Sequence, residues 1–375
     1  MIHGGRALKV VLSGGGTAGH VNPALSIAKK ILEKEPDSEI LFVGTPNGME
    51  NRLVAKEGFP IRHVEVKGFK RKLTLENLKV AYLAVTSIGQ AKKILKEFRP
   101  DLVVGTGGYV SWPVLRAATK MKIPTLIHEQ NALPGLTSQR LSKYVDKVCI
   151  SFQESEKHFK CKKEKLALCG NPVNPQLTKV TRNASRSKLG ITAPFLLSFG
   201  GSLGARVINE NVYALAKNYS SRRPIFHTHA FGAREYDSWM VKEAGDGICR
   251  FGNVRFSDYI YDMPVQLAAA DLVICRAGAI SLAELAVMAK PAILIPSPNV
   301  TDNHQYKNAL VYDKAGAAIL IEEKDLTPET LEKAVDSILR DPERLRTMSE
   351  NMKKLAFEDA NERIWSQIKS IVKGK

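Results

Sequence analysis

Short apolar runs alternate with longer segments of mixed polarity along most of the chain. The runs have the length and composition of buried strands, and the segments between them have the apolar stripes of helices. This alternation predicts an α/β fold with parallel sheets. Strands are predicted at 8–13, 40–43, 61–66, 101–104, 125–127, 145–150, 166–168, 195–199, 225–228, 255–259, 272–274, 292–295 and 317–321. Helices are predicted at about 22–32, 75–98, 205–216, 280–288, 327–339, 342–355 and 360–373, with further starts near 112 and 302.

The pattern begins twice, since the strands at 8–13 and 195–199 both run into a glycine turn and then a helix. Between them, Gly170-Asn171-Pro172-Val173 has the turn chemistry of a domain boundary. We therefore predict two Rossmann-like, doubly wound domains that face each other across a cleft. The predicted domains are 1–172 and 173–357, and the last helix, about 358–375, is expected to pack back on the first.

The two glycine turns of the first half suggest an anionic ligand. Glycines let a ligand approach the backbone, and a helix start favours an anion. Gly14-x-Gly16-x-x-Gly19 matches the dinucleotide fingerprint, but strand 40–43 ends in Gly44-Thr45-Pro46, where an NAD site needs an acid. NAD is therefore not expected. The second turn, Gly105-Thr106-Gly107-Gly108-Tyr109, also follows a strand, so both turns can converge on one polyanion.

The stretch 271–305 predicts a nucleotide-sugar pocket. A buried strand leads into the turn Arg276-Ala277-Gly278-Ala279, and the following helix carries Glu284. Open α/β sheets bind ligands at these strand ends, and the helix start offers N–H groups to a diphosphate. The Glu284 carboxylate suits a ribose diol, and a second polar cluster, 302–305, follows the next strand.

Three other motif matches are weak. His128-Glu129-Gln130-Asn131 is not a zincin motif, because the next position is Ala132. Gly200-x-Ser202-x-Gly204 matches a hydrolase nucleophile elbow, but no acid and histidine follow at a usable separation. His227-x-His229 along a strand is more typical of a structural pair than of a metal site.

Charge is the unusual feature of the composition. The 375-residue chain has a net charge of +17, and residues 1–172 contribute 28 Lys and Arg against 15 Asp and Glu. A basic first half favours an anionic partner there, whether nucleic acid, acidic lipid or a phosphorylated substrate. The basic loop 67–72 beside the amphipathic helix 75–98 is what a membrane-surface contact requires. The start of the chain lacks a signal-peptide pattern and no apolar run is long enough to span a bilayer, which predicts a cytosolic protein. The five cysteines form no C-x-x-C pair, so neither disulfides nor a zinc site is expected.

Six motifs, in order, resemble a known family: GGGTAGH, GTGGYVSWP, HEQNALPG, GNPV, GGSLGAR and CRAGAISLAEL…DNHQ. They are similar to those of the bacterial N-acetylglucosaminyltransferases that convert lipid I to lipid II in peptidoglycan synthesis, the MurG family, and the resemblance covers almost the whole chain. It implies a GT-B fold, an inverting transfer from UDP-N-acetylglucosamine that forms a β-1,4 bond, and a peripheral enzyme on the cytoplasmic face of the cell membrane. It also implies an anionic membrane surface as partner and no nucleic acid.

The resemblance also assigns residues. Glu284 would hold the ribose, Ile260 the uracil, Ser202 and the helix start at Ala279 the diphosphate, and Gln305 the sugar. The implied donor site is Thr17, Ala18, Gly19, Asn131, Ser202, Ile260, Ala279, Ile280, Ser281, Leu282, Ala283, Glu284 and Gln305. The implied acceptor and pyrophosphate site is Gly14, Gly15, Gly16, Gly105, Gly107, Gly108 and Tyr109. Two positions depart from the family: Ala18 replaces a glycine, and Asn174 replaces an arginine that helps to bind the donor.

The catalytic hypothesis places His20 near the reacting centre, as general base or by stabilising charge. The sequence has no D-x-D motif at which a metal would hold the diphosphate, so we expect no cofactor and no metal at the chemical step. The alternatives are a UDP-N-acetylglucosamine 2-epimerase or a soluble glycosyltransferase of the same architecture. A non-catalytic basic protein would explain the charge but not the glycine turns at strand ends.

Overall fold

The computed structural model describes residues 7–66, 76–220 and 225–372, without the side chains of 76–85. The chain forms two compact units, Met1–Val173 with Asp359–Lys375, and Asn174–Glu358. Each unit has one parallel sheet with helices packed on it, so the predicted α/β class is confirmed. The basic loop 67–72 lies outside the described residues.

The described elements follow the predicted alternation of strand and helix. The strands are β1 (Lys9–Gly14), β2 (Glu39–Gly44), β3 (Ile61–His63), β4 (Leu102–Gly107), β5 (Thr125–Glu129), β6 (Lys147–Ile150), β7 (Leu166–Leu168), β8 (Phe195–Phe199), β9 (Phe226–Ala230), β10 (Val254–Ser257), β11 (Leu272–Cys275), β12 (Ala292–Leu294) and β13 (Ala318–Leu320). The helices are α1 (Ala18–Lys34), α2 (Glu50–Lys56), α3 (Glu76–Phe98), α4 (Ser111–Lys120), α5 (Leu136–Leu141), α6 (Arg182–Leu189), α7 (Arg206–Ser220), α8 (Tyr236–Asp246), α9 (Met263–Ala269), α10 (Ala279–Val287), α11 (His304–Lys314), α12 (Pro328–Leu339), α13 (Pro342–Lys354) and α14 (Ala360–Val372).

The strand orders identify where each sheet can bind a ligand. The first sheet runs β3-β2-β1-β4-β5-β6-β7 and the second β10-β9-β8-β11-β12-β13, with every pair parallel. The order reverses between β1 and β4 in the first sheet, and between β8 and β11 in the second. Ligands of open α/β sheets bind outside the carboxyl ends of the strands at such a reversal. The glycine turns after β1, β4 and β8 and the turn before α10 all lie at these two points.

Two predicted boundaries were wrong for physical reasons. Strand 61–66 is only three residues long, because its partner β2 ends at Gly44, opposite His63. The first helix begins at Ala18 and not near 22, since Thr17 is already the extended residue at the helix cap.

The core of the first unit includes the end of the chain. Val10 and Leu12 of β1 face one side of the sheet and Val11 the other, so both faces are covered by helices. The predicted apolar stripe of the last helix is confirmed: Ile364, Trp365 and Ile368 are buried in the same cluster as Val10, and Ile371 packs at its margin. Within the described part of the chain, no helix has both the length and the apolar character to cross a membrane.

Candidate functional site

The two glycine turns of the first unit pack directly against each other. A side chain on Gly108 would overlap the carbonyl oxygen of Gly15, and one on Gly14 would overlap the hydroxyl of Thr106. Gly107 and Gly108 also have φ values of 104° and 78°, which favour glycine. The two turns therefore converge, as the sequence predicted.

His20 is fixed between the turns. Its Nδ1 atom lies 3.0 Å from the carbonyl oxygen of Gly15 and 3.3 Å from the hydroxyl of Thr17. The edge of its ring lies against Gly107, where a Cβ atom would come within 2.8 Å of Cδ2. Because a carbonyl can only accept, this bond assigns the proton to Nδ1 and the lone pair of the neutral ring to Nε2. The tautomer of His20, the catalytic residue predicted from the sequence, is therefore defined by this hydrogen bond.

Side-chain hydroxyl groups hold the two turns by hydrogen bonds to backbone carbonyls. Thr106 Oγ1 donates to the His20 carbonyl at 2.7 Å, and Ser111 Oγ lies 2.8 Å from the Ser13 carbonyl and 2.7 Å from the Gly107 carbonyl. Tyr109 is partly exposed and its ring lies over Gly16. No acidic residue occurs in the first turn of α1, so the positive end of this helix dipole is not neutralised there.

Glu50 contacts the first glycine turn, and the sequence did not predict this contact. Its buried carboxylate accepts hydrogen bonds from the Gly16 N–H and from the N–H and hydroxyl of Thr45. Gly16 N–H, in the predicted pyrophosphate site, is therefore already used within the protein. No local pattern could have shown this, since Glu50 follows a different strand.

Asn131 lies one strand further out, after β5. The buried Glu129 carboxylate accepts from the Asn131 N–H at 3.0 Å, from its side-chain amide at 3.2 Å and from the Gly135 N–H at 3.2 Å. Asn171 donates to the Gln130 carbonyl at 3.0 Å, which ties this segment to the GNPV turn. Asn174 caps the next short helical turn by accepting from the Gln176 N–H at 2.9 Å.

In the second unit, the turn after β8 is shaped by glycine–glycine contact. A side chain on Gly204 would overlap the Phe231 carbonyl, and one on Gly232 would overlap the Gly204 nitrogen. Ser202, predicted to contact the diphosphate, is exposed on this turn. Ile260 lies after β10 and is buried, and the exposed rings of Tyr259 and Tyr261 flank it.

Glu284 is the most distinctive group of this unit. It lies on α10, partly buried, and no hydrogen bond or ion pair reaches its carboxylate from the described residues. Burial without a partner raises the pKa of Glu284 to about 7. Burial, with a smaller contribution from the Glu284 charge, raises the pKa of the neighbouring Cys275 thiol to about 12. A carboxylate in this state gains stability from any ligand that donates hydrogen bonds to it.

Arg276 does not point out of the turn as a phosphate ligand would. Its guanidinium donates to the Ile295 carbonyl at 3.1 Å and pairs with Glu323, and both side chains are largely buried. Asn308 of α11 donates to the Ala277 carbonyl at 3.3 Å. The turn before α10 is thus braced by two side chains.

Gln305 lies in the first turn of α11, the helix that follows the neighbouring strand β12. Its side-chain oxygen accepts from the Ser297 N–H at 2.9 Å. The residues before it, Asp302 and Asn303, have φ values of 55° and 52°, a left-handed conformation that is unusual outside glycine. Such local strain is often found at ligand-binding loops.

The discounted histidine motif is an internal network. Ser198 Oγ lies 2.7 Å from His227 Nε2 and 2.8 Å from His229 Nδ1, while His229 Nε2 contacts Asn209. Burial lowers the pKa of both rings, that of His227 to about 3. In the described residues no group of three or more His, Cys, Asp or Glu side chains is placed to hold a metal ion.

Comparisons with known proteins agree with this geometry. The family model described as glycosyltransferase family 28 N-terminal domain matches residues 10–150, and the corresponding C-terminal domain model matches residues 195–364. A relative from Acetivibrio thermocellus, named UDP-N-acetylglucosamine--N-acetylmuramyl-(pentapeptide) pyrophosphoryl-undecaprenol N-acetylglucosamine transferase, is 48% identical, with 98% of this chain and 99% of the relative covered.

Two solved structures are similar over nearly the whole chain. The crystal structure of Acinetobacter baumannii MurG has a TM-score of 0.78 and 28% identity, with 97% of this chain and 99% of that chain covered. A UDP-N-acetylglucosamine 2-epimerase has a TM-score of 0.67 and 15% identity, with 97% and 95% covered. At that identity the second likeness shows the fold alone.

Proposed function

Since the chain belongs to glycosyltransferase family 28, we propose that it transfers N-acetylglucosamine from its UDP form to undecaprenyl-pyrophosphoryl-N-acetylmuramyl-pentapeptide. This is the step from lipid I to lipid II in peptidoglycan synthesis, and the 48% identical relative is named for it. The enzyme is a hexosyltransferase with a GT-B fold.

The observation that carries the donor side is the unpartnered carboxylate of Glu284. A ribose diol would supply the two hydrogen-bond donors that the protein does not supply. Because the group lies on α10 at the strand-order reversal, a nucleotide held there would have its diphosphate near the helix start. We assign the diphosphate to Ser202 and to the N–H groups in the first turn of α10.

The remaining donor contacts come from backbone and amide groups. The uracil edge is assigned to the backbone of Ile260. Gln305 uses its side-chain oxygen on Ser297, so its amide NH₂ is the group that can donate to a sugar hydroxyl. Thr17, Ala18, Gly19 and Asn131 are also assigned to the donor.

The acceptor is assigned to the glycine turns of the first unit. Gly14–Gly16 and Gly105–Gly108, with Tyr109, form a surface without bulky side chains into which a pyrophosphate can approach closely. The uncapped positive end of α1 favours an anion at the same place.

In this mechanism His20 Nε2 removes the proton from the acceptor hydroxyl as that oxygen attacks the anomeric carbon of the donor. The bond from this carbon to the diphosphate breaks on the opposite face, UDP leaves, and a β-1,4 bond forms with inversion. Backbone N–H groups of the α10 start balance the charge that develops on UDP. We expect the chemical step to need no metal, and turnover lost to a chelator and restored by magnesium would contradict that expectation.

The membrane surface is the proposed place of action, because the acceptor is lipid-linked. The excess of basic residues in the first 172 positions supports contact with anionic lipid at the cytoplasmic face, and no nucleic-acid partner is proposed. Lys92, Lys93 and Lys96 lie on the last turns of α3, and Arg99 follows its end, so four cationic side chains lie close together.

Product analysis tests the function. The protein is incubated with UDP-N-acetylglucosamine labelled in the sugar and with lipid-linked muramyl-pentapeptide. Label in the lipid phase as a disaccharide supports the proposal. A labelled epimer that stays in the aqueous phase would favour the epimerase, and an absence of both products from folded protein would overturn the proposal.

A further inference from the structure

A buried acid lies directly behind the first glycine turn. Glu50, at the start of α2, is only 1% exposed. Its Oε1 atom lies 2.8 Å from both the N–H and the hydroxyl of Thr45, and its Oε2 atom lies 3.3 Å from the Gly16 nitrogen. Because β2 and β1 are neighbours, this one side chain joins the turns that follow two adjacent strands.

Glycines make room for this carboxylate on three sides. A Cβ atom on Gly15 would lie 2.8 Å from the Glu50 carboxyl group, and one on Gly44 would lie 2.6 Å from its Cγ. A side chain on Gly48 would overlap the carboxylate outright. The absence of side chains at these positions is thus required by Glu50 as well as by any ligand.

The charge of Glu50 is balanced by hydrogen bonds and not by a cation. In the described part of the chain no lysine, arginine or histidine pairs with it. Burial acts to raise the pKa of Glu50, but hydrogen bonds from Thr45 and Gly16 outweigh it and hold the pKa below its usual value. The carboxylate is therefore an acceptor whose loss would leave the buried Thr45 N–H without its partner.

The position of Glu50 relates it to His20. The Gly16 N–H that Glu50 holds belongs to the peptide unit that also carries the Gly15 carbonyl, and that carbonyl accepts the proton of His20 Nδ1. One rigid peptide plane therefore connects the carboxylate to the imidazole. Gly108 packs on the same carbonyl from the other side.

We propose that Glu50 is a positioning residue of the transfer reaction, which orients the Gly15–Gly16 peptide and through it His20 and the acceptor turn. The proposal rests on the function proposed above. Glu50 itself touches neither substrate nor the reacting atoms, and it orients the groups that do.

Glu50→Gln is the direct test. A glutamine keeps the volume, but if its oxygen faces Thr45, its amide NH₂ faces the Gly16 N–H, so that two donors meet. We expect kcat for transfer to the lipid acceptor to fall by about 10²-fold, since small misplacements of catalytic groups have effects of this size. The KM for UDP-N-acetylglucosamine should change far less than kcat, because the nucleotide contacts assigned to Glu284 and Ser202 belong to the other unit. Glu57→Gln, an exposed acid at the end of α2, is the matched control and should behave as wild type.

Amide hydrogen exchange of the peptide that covers residues 12–20 provides a readout that needs no activity. It should speed up in Glu50→Gln and not in Glu57→Gln. Unchanged exchange, or faster exchange with kcat unchanged, would overturn the proposal. If wild type transfers no sugar, the proposed function fails, and the exchange comparison still decides whether Glu50 orients the turn.

Thr45→Val keeps the test open if Glu50→Gln does not fold. It removes the hydroxyl bond to Glu50 and keeps the charge and the Gly16 contact. The same two readouts should change in the same direction by a smaller factor. A folded Thr45→Val protein with wild-type kcat and exchange, beside an unfolded Glu50→Gln protein, would overturn the proposal.

Discussion

Glu284 and Glu50 are both withdrawn from water, but their surroundings act in opposite directions. Glu50 accepts N–H and hydroxyl hydrogen bonds from its own chain, which lower its pKa. Glu284 has no such donor among the described residues, and burial raises its pKa to about 7. The Glu50 carboxylate receives its hydrogen bonds from the protein itself, whereas the Glu284 carboxylate would receive them from a ligand.

This difference predicts how donor affinity depends on pH. Ribose hydroxyls donate to the charged form of Glu284, so binding favours the carboxylate. Above pH 7 the group is ionised and affinity should be constant, and below about pH 7 the Kd should rise toward tenfold per pH unit. Calorimetry with UDP-N-acetylglucosamine from pH 5.5 to 8.5 measures this, since neither phosphate of this diester titrates in that range. Glu284→Gln should bind weakly with a flat profile, and a flat wild-type profile would contradict the assignment.

His20→Gln should separate chemistry from donor binding. Removing a general base lowers the rate by about 10²–10⁴-fold. The nucleotide contacts assigned to Glu284 lie in the other unit, and only Thr17, Ala18 and Gly19 of the assigned donor residues lie beside His20, so the Kd for UDP-N-acetylglucosamine should change far less than kcat. Steady-state kinetics with saturating acceptor give kcat, and a kcat near wild type would remove His20 from this role.

Local motifs predicted some residues and could not predict others. The glycine turns and Glu284 follow buried strands directly, so their place at the sheet edge could be read from the sequence. Glu50 is 34 residues from the Gly16 that it holds, and only the pairing of β1 with β2 brings them together. Arg276 stands in a motif that suggests phosphate binding, and only the structure shows its side chain on Ile295 and Glu323.

At the scale of elements, long apolar runs were the reliable signal. Strands such as β1 and β8 were predicted to within one residue, because burial on both faces makes them largely apolar. Short helices such as α2 and α5 have too few turns to show a period. The edge strand β3 was predicted too long, since the end of its partner strand, and not its own sequence, sets its length.

The stability of the turn between β11 and α10 is predicted to depend on the contacts of Arg276. Arg276→Met removes the bond to the Ile295 carbonyl and leaves Glu323 largely buried without its partner. The free energy of unfolding of the second unit should fall by about 2 kcal/mol. Urea unfolding followed by the fluorescence of Trp239, the single tryptophan of that unit, measures the loss.

Arg346→Met is the matched control for this brace. Arg346 pairs with Glu350 along α13 with both side chains exposed, so its loss should change the free energy of unfolding by less than about 0.5 kcal/mol. Equal effects of the two substitutions would show that the Arg276 pair has no special role in holding the turn.

At the scale of the whole molecule, the same design occurs twice. Each unit has a parallel sheet whose order reverses beside its first strand, and each places a glycine turn at that reversal. The relative from Acetivibrio thermocellus, at 48% identity over nearly the full length, separates the lipid-acceptor enzyme from the epimerase, which shares only the fold at 15%. A non-catalytic basic protein is excluded by membership of the family.

The uneven charge predicts how the protein binds membranes. The first 172 residues carry 28 Lys and Arg against 15 Asp and Glu, so vesicles with anionic lipid should bind the protein and purely zwitterionic vesicles should bind it poorly. Raising the salt from 0.05 M to 0.5 M should release it, since the Debye length falls over this range. Flotation assays measure the bound fraction. A bound fraction that depends on neither lipid charge nor salt concentration would contradict an electrostatic contact.

The chain is a transferase that moves N-acetylglucosamine onto a lipid-linked acceptor, and we propose that it holds the donor through Glu284. The most direct test measures the rate at which labelled sugar reaches lipid-linked muramyl-pentapeptide at pH 8, for wild type and Glu284→Gln, over a range of donor concentrations. We expect transfer by wild type and a loss of kcat/KM for the donor of about 10²-fold in the variant, the size expected when a buried polar group loses its hydrogen-bond partner. Equal kcat/KM values in the two proteins would contradict it.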